Sequence, residues 1–266
     1  MEPATPPAIA TQTLRKIALE QPTSIRVFEH LGIDSCCCGD KSLAAACAEA
    51  HLDIRAVLTA LRFAAEQPLL PTPDWSNASM ELLCAHIVFK HHAYLRRELP
   101  LLIETAKGLL SRRGQAQPEL AGILSTLSRL EFDLIEHLSK EETVVFPYIV
   151  SLERAVDRSL WESEPIPMSC FGFLSKPVAL LCGDHEAILD HLSRIRDWSH
   201  GYTPPLRSCE TSCSFYKELH NLDADLRQHL HLENNILFPR AVQMETAEEF
   251  VSSHAAGNVA TEFSSH

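Results

Sequence analysis

The chain has 266 residues, enough for one large domain or two smaller ones with a sizeable core. Lys and Arg total 23 against 35 Asp and Glu, a net charge of −12 that weighs against a phosphate-tracking surface, while 9 Gly leave few positions for the tight turns of a strand-rich fold. No apolar run approaches the roughly 18 residues of a membrane span, and residues 1–7 lack the basic and apolar regions of a signal peptide, so a cytoplasmic protein without nucleic-acid or membrane partners is expected.

Residues 1–10, rich in Ala, Pro and Thr, read as a flexible tail. Four short helices follow by apolar spacing, over Leu14–Leu19, Ile25–Leu31 closed by Gly32, Leu43–Ala50 and Ile54–Ala65, making a small N-terminal helical domain over 11–68. Its second connection carries three adjacent cysteines, Cys36, Cys37 and Cys38, and Ser42 is placed to cap the next helix. Nine cysteines with this adjacency do not form a secreted disulfide framework; they read as reduced thiols. A proline-rich linker spans 69–78. Four long amphipathic segments then occupy 79–243, broken near Arg113-Gly114, at Glu164-Pro165-Ile166-Pro167 and over Gly201–Pro205. An all-α, up-down-up-down four-helix bundle is the simplest packing of four such segments, and residues 244–266 read as a second tail.

An internal repeat carries the chemistry. His137 to Pro147 and His229 to Pro239 both read His-x3-Glu-x4-Phe-Pro. A spacing of four on a helix puts imidazole and carboxylate on one face, about 6 Å apart along the axis, so each copy can grip one side of a metal centre. Both pairs interrupt apolar stripes: Leu127, Leu130, Leu134, His137, Glu141, Val144, Tyr148 on the second long helix, and Leu219, Leu222, Leu226, His229, Glu233, Ile236 on the fourth. Burying ionised carboxylates costs several kcal/mol unless they are paired or bound to metal.

The first and third long helices offer matching histidines. His92 shares a stripe with Leu95, Leu99 and Leu102, whereas His91 turns to the wetter side; His185 shares one with Leu181, Ile188 and Leu192, whereas His191 lies outward with Asp184. The inward set is His92, His137, Glu141, His185, His229 and Glu233. Four imidazoles and two carboxylates suit a pair of first-row ions, with iron expected rather than a zinc site, which favours four ligands and thiolate. The other histidines, His231 among them, read as surface or hydrogen-bonded core residues.

At these residues the chain resembles a hemerythrin-like di-iron bundle, and more closely the bacterial "repair of iron centres" family of iron-sulfur cluster repair proteins. That family joins an N-terminal domain with an Asp-x-Cys-Cys-x-Gly signature, matched here by Asp34 to Gly39 with Cys38 where Gly is frequent, to a C-terminal bundle. His92 with Arg96 and Leu99-Pro100 fits the first-helix motif, and His229 through Glu233-Asn234-Asn235 to Phe238-Pro239 fits the strongest one. The resemblance implies two non-haem iron ions bridged by carboxylate, with an oxo bridge also open to them, and one imidazole fewer than oxygen-carrying hemerythrins, hence a more labile centre. It further implies repair of iron-sulfur clusters damaged by nitric oxide or peroxide, with damaged proteins as clients and Cys36 and Cys37 as redox thiols. The alternative is a binder that captures nitric oxide or dioxygen at the same centre. Neither reading requires catalytic turnover, and a homodimer is a further expectation.

Overall fold

The structure, a computed structural model, describes residues 8–35, 38–66, 74–114, 117–159, 171–206 and 208–247. Cys36, Cys37, the Glu164–Pro167 break, half of the linker and most of both expected tails lie outside these residues. The described residues are helical, without a β-sheet, and divide into two compact units.

The first unit comprises residues 1–78 together with 224–236. Its helices are α1 (Leu14–Glu20), α2 (Ser24–Leu31), α3 (Leu43–Glu49) and α4 (Ile54–Ala65). Side-chain caps start three of them: Thr13 accepts from Lys16 N, Ser42 from Ala45 N and Asp53 from Arg55 N. The caps Thr13 and Ser42 pair with each other in an isolated antiparallel bridge, which ties the start of α1 to the start of α3. Gly32, at φ +71°, ends α2 in a conformation that L side chains rarely adopt. Leu14, Ile17, Phe28, Leu43, Val57 and Leu61 are the heart of the core. The expected N-terminal tail over 1–10 is shorter than that at its inner edge, because Ala8–Thr11 forms a turn of 3₁₀ helix with Ala10 fully buried.

The second unit comprises residues 79–223 and 237–266. α5 (Met80–His86) and α6 (Ala93–Arg113) form one continuous helix joined through a π-helical segment, Ile87–His92; α7 (Glu119–Lys140) and α8 (Phe146–Ser159) are joined likewise through Glu141–Val145. α9 (Ser175–Trp198) is the third long helix. The fourth, α10 (Glu210–Leu232), runs out of this unit at Asp223, passes through a π-helical segment at Glu233–Leu237 and continues over 238–247. Helix α7 packs on α6 and α9, and α5 packs on α8. These are the four long helices expected over 79–243. The Glu153 carboxylate accepts from Met80 N and Glu81 N at 2.7 and 2.9 Å, closing the start of α5 from the middle of α8. Arg196 donates to the buried Asp223 at 2.7 Å, joining α9 to α10. No helix among the described residues is long and apolar enough to cross a membrane.

Two sequence expectations need correction. Residues 244–247 are not tail: Glu245 is buried and accepts from Tyr148 Oη at 2.7 Å and Leu174 N at 2.8 Å, which anchors the last helical turn. The stripe through Val144 also breaks, since Val144 is 41% exposed while Val145, Phe146 and Ile149 are buried. A π-helical turn holds an extra residue, so everything after Glu141 is displaced by one position on the helix face. Proline contributes to this: Pro147 and Pro239 stand two residues beyond the two π-helical segments, where a wider turn receives a ring that would collide with the carbonyl four residues earlier in a regular helix.

Candidate metal centre

Three of the four long helices carry their π-helical turn at a candidate ligand. One segment ends on His92, the second begins on Glu141 and the third begins on Glu233. Such turns re-aim side chains that regular α geometry would send elsewhere. The first also brings His91 inside, fully buried with its ring edge-on to His86 at 5.6 Å, against the expectation of a wetter position.

The six candidates are all buried: His92, Glu141, His185, His229 and Glu233 are 0% exposed and His137 1%. In the second unit, His137 Nε2 lies 3.2 Å from Glu141 Oε1 and 3.0 Å from His185 Nε2, and His92 Nε2 lies 3.5 Å from Glu141 Oε2. On α10, His229 Nε2 lies 2.8 Å from Glu233 Oε1. The ligand atoms form two groups, each with all members within 4.8 Å of one another: His92, Glu141, His229 and Glu233, and His137, Glu141, His185 and Glu233.

This grouping refines the repeat. Each His-x3-Glu pair stays together, but the lone histidine of each half joins the opposite copy, His92 with His229-Glu233 and His185 with His137-Glu141. Glu141 and Glu233 belong to both groups. Each group thus has two imidazoles of its own and shares both carboxylates, a donor set suited to a pair of iron ions bridged by carboxylate. Two carboxylates this deeply buried fit cations well, because their charge would otherwise be expensive to desolvate.

Neighbouring groups orient the imidazoles. His92 Nδ1 lies 2.6 Å from Glu142 Oε1, which also accepts from Arg96 at 2.8 Å; since a carboxylate only accepts, Nδ1 carries the proton and Nε2 keeps the lone pair that a metal would take. Partial burial raises the Glu142 carboxyl, but the bonds from Arg96 and His92 outweigh it and hold the group below the ordinary range. Asp184 Oδ2 takes the same role toward His137 Nδ1 at 3.5 Å and accepts from Lys140 at 3.2 Å. The His137 bond, opposed by burial and aided by Lys140, brings the Asp184 carboxyl down to about 2. The repeated phenylalanines have a counterpart function: Phe146 stacks on His92 at 5.9 Å and Phe238 on His185 at 6.1 Å.

Glu142 and Asp184 were not among the sequence candidates. Their signal was adjacency, one following Glu141 and one preceding His185, but helix periodicity places both on an outward face.

A family model described as the hemerythrin HHE cation binding domain matches residues 84–241, and one described as a domain of unknown function (DUF542) matches residues 10–65. The iron-sulfur cluster repair protein YtfE of Escherichia coli O157:H7 is 30% identical over 238 residues, covering 90% of this chain and 100% of that protein. The chain belongs to the hemerythrin-like iron-sulfur cluster repair family. Similar members of that family include the proteins of the same name from Citrobacter koseri, 30% identical over 88% of this chain and 98% of its own length, and Shigella boydii serotype 4, 29% identical over 90% and 100%. The hemerythrin match spans all six residues of the centre, and the second match spans the cysteine run.

Proposed function

We propose that this di-iron protein restores iron-sulfur clusters damaged by nitrosative or oxidative stress, supplying iron or handling nitric oxide at the damaged cluster. The observation that carries the reading is the pair of ligand groups sharing Glu141 and Glu233. It is supported by relatives named for iron-sulfur cluster repair. Bound iron would supply redox chemistry and exchangeable coordination positions. The chain's own part is to hold it: His92, His137, His185 and His229 donate ring nitrogens, Glu142 and Asp184 fix the rings of His92 and His137, and Phe146 and Phe238 cover one side of His92 and His185. With two imidazoles in each group the hold is lighter than a histidine-rich carrier site, which suits release. Cys36 and Cys37 would act as thiols toward the client cluster.

The test begins with metal content. Wild-type protein should carry one iron ion for each of the two groups and His229→Ala should lose most of it; full iron content in that variant would overturn the site. Reduced, iron-loaded protein should then reactivate an iron-sulfur enzyme inactivated by nitric oxide, and the double variant Cys36→Ser, Cys37→Ser should do so less well. Uptake of nitric oxide with no reactivation of the enzyme would make the protein a binder instead.

A further inference from the structure

Asn235 lies two residues beyond Glu233 on the same π-helical turn, is 3% exposed, and makes three hydrogen bonds that leave its amide no freedom. Its Oδ1 accepts from Arg15 Nε at 3.1 Å. Its Nδ2 donates to the Ser35 carbonyl at 3.1 Å and faces His231 Nδ1 at 3.0 Å. Arg15 can only donate and the Ser35 carbonyl can only accept, so the orientation of the amide is dictated. The second Nδ2 hydrogen is then directed at His231 Nδ1, which meets it with a lone pair. All donors and acceptors of the side chain match.

These partners bracket the cysteine run. Ser35 immediately precedes Cys36, and Gly39 immediately follows Cys38. A Cβ on Gly39 would stand 2.5 Å from Asn235 Oδ1, so the backbone passes against the amide because residue 39 has no side chain. The Gly39 carbonyl is in turn held by Arg15 N at 2.8 Å, and the Arg15 guanidinium pairs with Asp40 at 3.1 Å. Both flanks of the run are therefore fixed to a single amide, on the helical turn that also presents a metal-ligand carboxylate.

We propose that Asn235 is a positioning residue that couples iron occupancy at Glu233 to the cysteine loop. Iron bound by Glu233 fixes the π-helical turn; the fixed turn holds Asn235, and Asn235 holds Ser35 and Gly39. Coupling of this kind is reciprocal, so a displaced loop weakens iron retention. Asparagine alone among residues of its size meets the requirement, since aspartate cannot donate to Ser35 and alanine can do neither. The inference rests on the assigned iron centre; it does not require that the protein repair clusters.

The test uses the full chain, iron-free and iron-loaded, with alkylation at Cys36, Cys37 and Cys38 followed by mass spectrometry. The exposed Cys209 and Cys213 serve as internal controls. In wild type, iron should slow alkylation of the run by about fivefold or more, the lower range of ordinary coupling, and leave the controls unchanged. Asn235→Ala and Asn235→Asp should abolish that contrast and speed iron loss to a chelator. Gly39→Ala, which keeps Asn235 and displaces the loop from it, should give the same result if the asparagine variants fold poorly. No iron-dependent contrast in wild type, or an undiminished one in folded Asn235→Ala or Gly39→Ala, would overturn the coupling. Cluster repair is scored separately, so its failure beside an intact alkylation contrast would overturn the functional reading alone.

Discussion

Removing Glu142 asks how much of the iron affinity is set outside the ligands. Glu142→Ala takes away the acceptor of His92 Nδ1 at 2.6 Å and of Arg96 at 2.8 Å, so the ring is freed to rotate and to change tautomer. Losing such a partner weakens metal binding by about 10–100-fold, or about 1.4–2.7 kcal/mol. Glu142→Gln keeps an acceptor oxygen for His92 without its charge, and a charged bond exceeds a neutral one by about 1 kcal/mol, so about fivefold is expected. Competition with an iron(II) chelator under anaerobic conditions reads both values. Thermal unfolding with and without iron separates binding from folding: the Arg96 pair adds little, since that side chain is 51% exposed, the lost bond to the buried His92 costs about 1–3 kcal/mol with or without iron, and only the further loss in the iron-loaded form reads binding. Wild-type affinity in Glu142→Ala would refute the orienting role, and an equal loss of stability in the iron-free form would show a purely structural one.

Gly122→Ala would drive a methyl into the Trp198 ring, which crowds the site where a Cβ would stand; a loss of about 1–3 kcal/mol in urea unfolding is expected, and an unchanged midpoint would contradict the packing. Asp223→Ala leaves Arg196 without its buried partner and should cost about 3–5 kcal/mol by the same assay, well above an exposed pair. His231 binds its proton in the unfolded chain near pH 6.5 but in the fold only near pH 4, so the unfolded state holds more protons between those values and stability falls as pH drops through that window. The full effect is about 3 kcal/mol, most of it developed by pH 4.5; urea midpoints at pH 7 and 5 check the sign, and His231→Gln should flatten the difference.

Periodicity alone marked the helices, the caps at Ser42 and the Gly32 stop, and the repeated His-x3-Glu pairs on apolar stripes singled out the six metal-site candidates. Those features are local, since helix geometry fixes which side chains share a face within a turn or two. The π-helical turns escaped that reading because a regular period cannot register an inserted residue; hence Val144 turned outward and His91 inward. Which lone histidine joins which repeat, how Glu142 and Asp184 reach imidazoles on other helices, and why residues 224–236 belong with the N-terminal unit through Asn235 depend on contacts between segments tens to hundreds of residues apart. Side-chain spacing within one helix carries no record of its neighbours, so only packing could decide them.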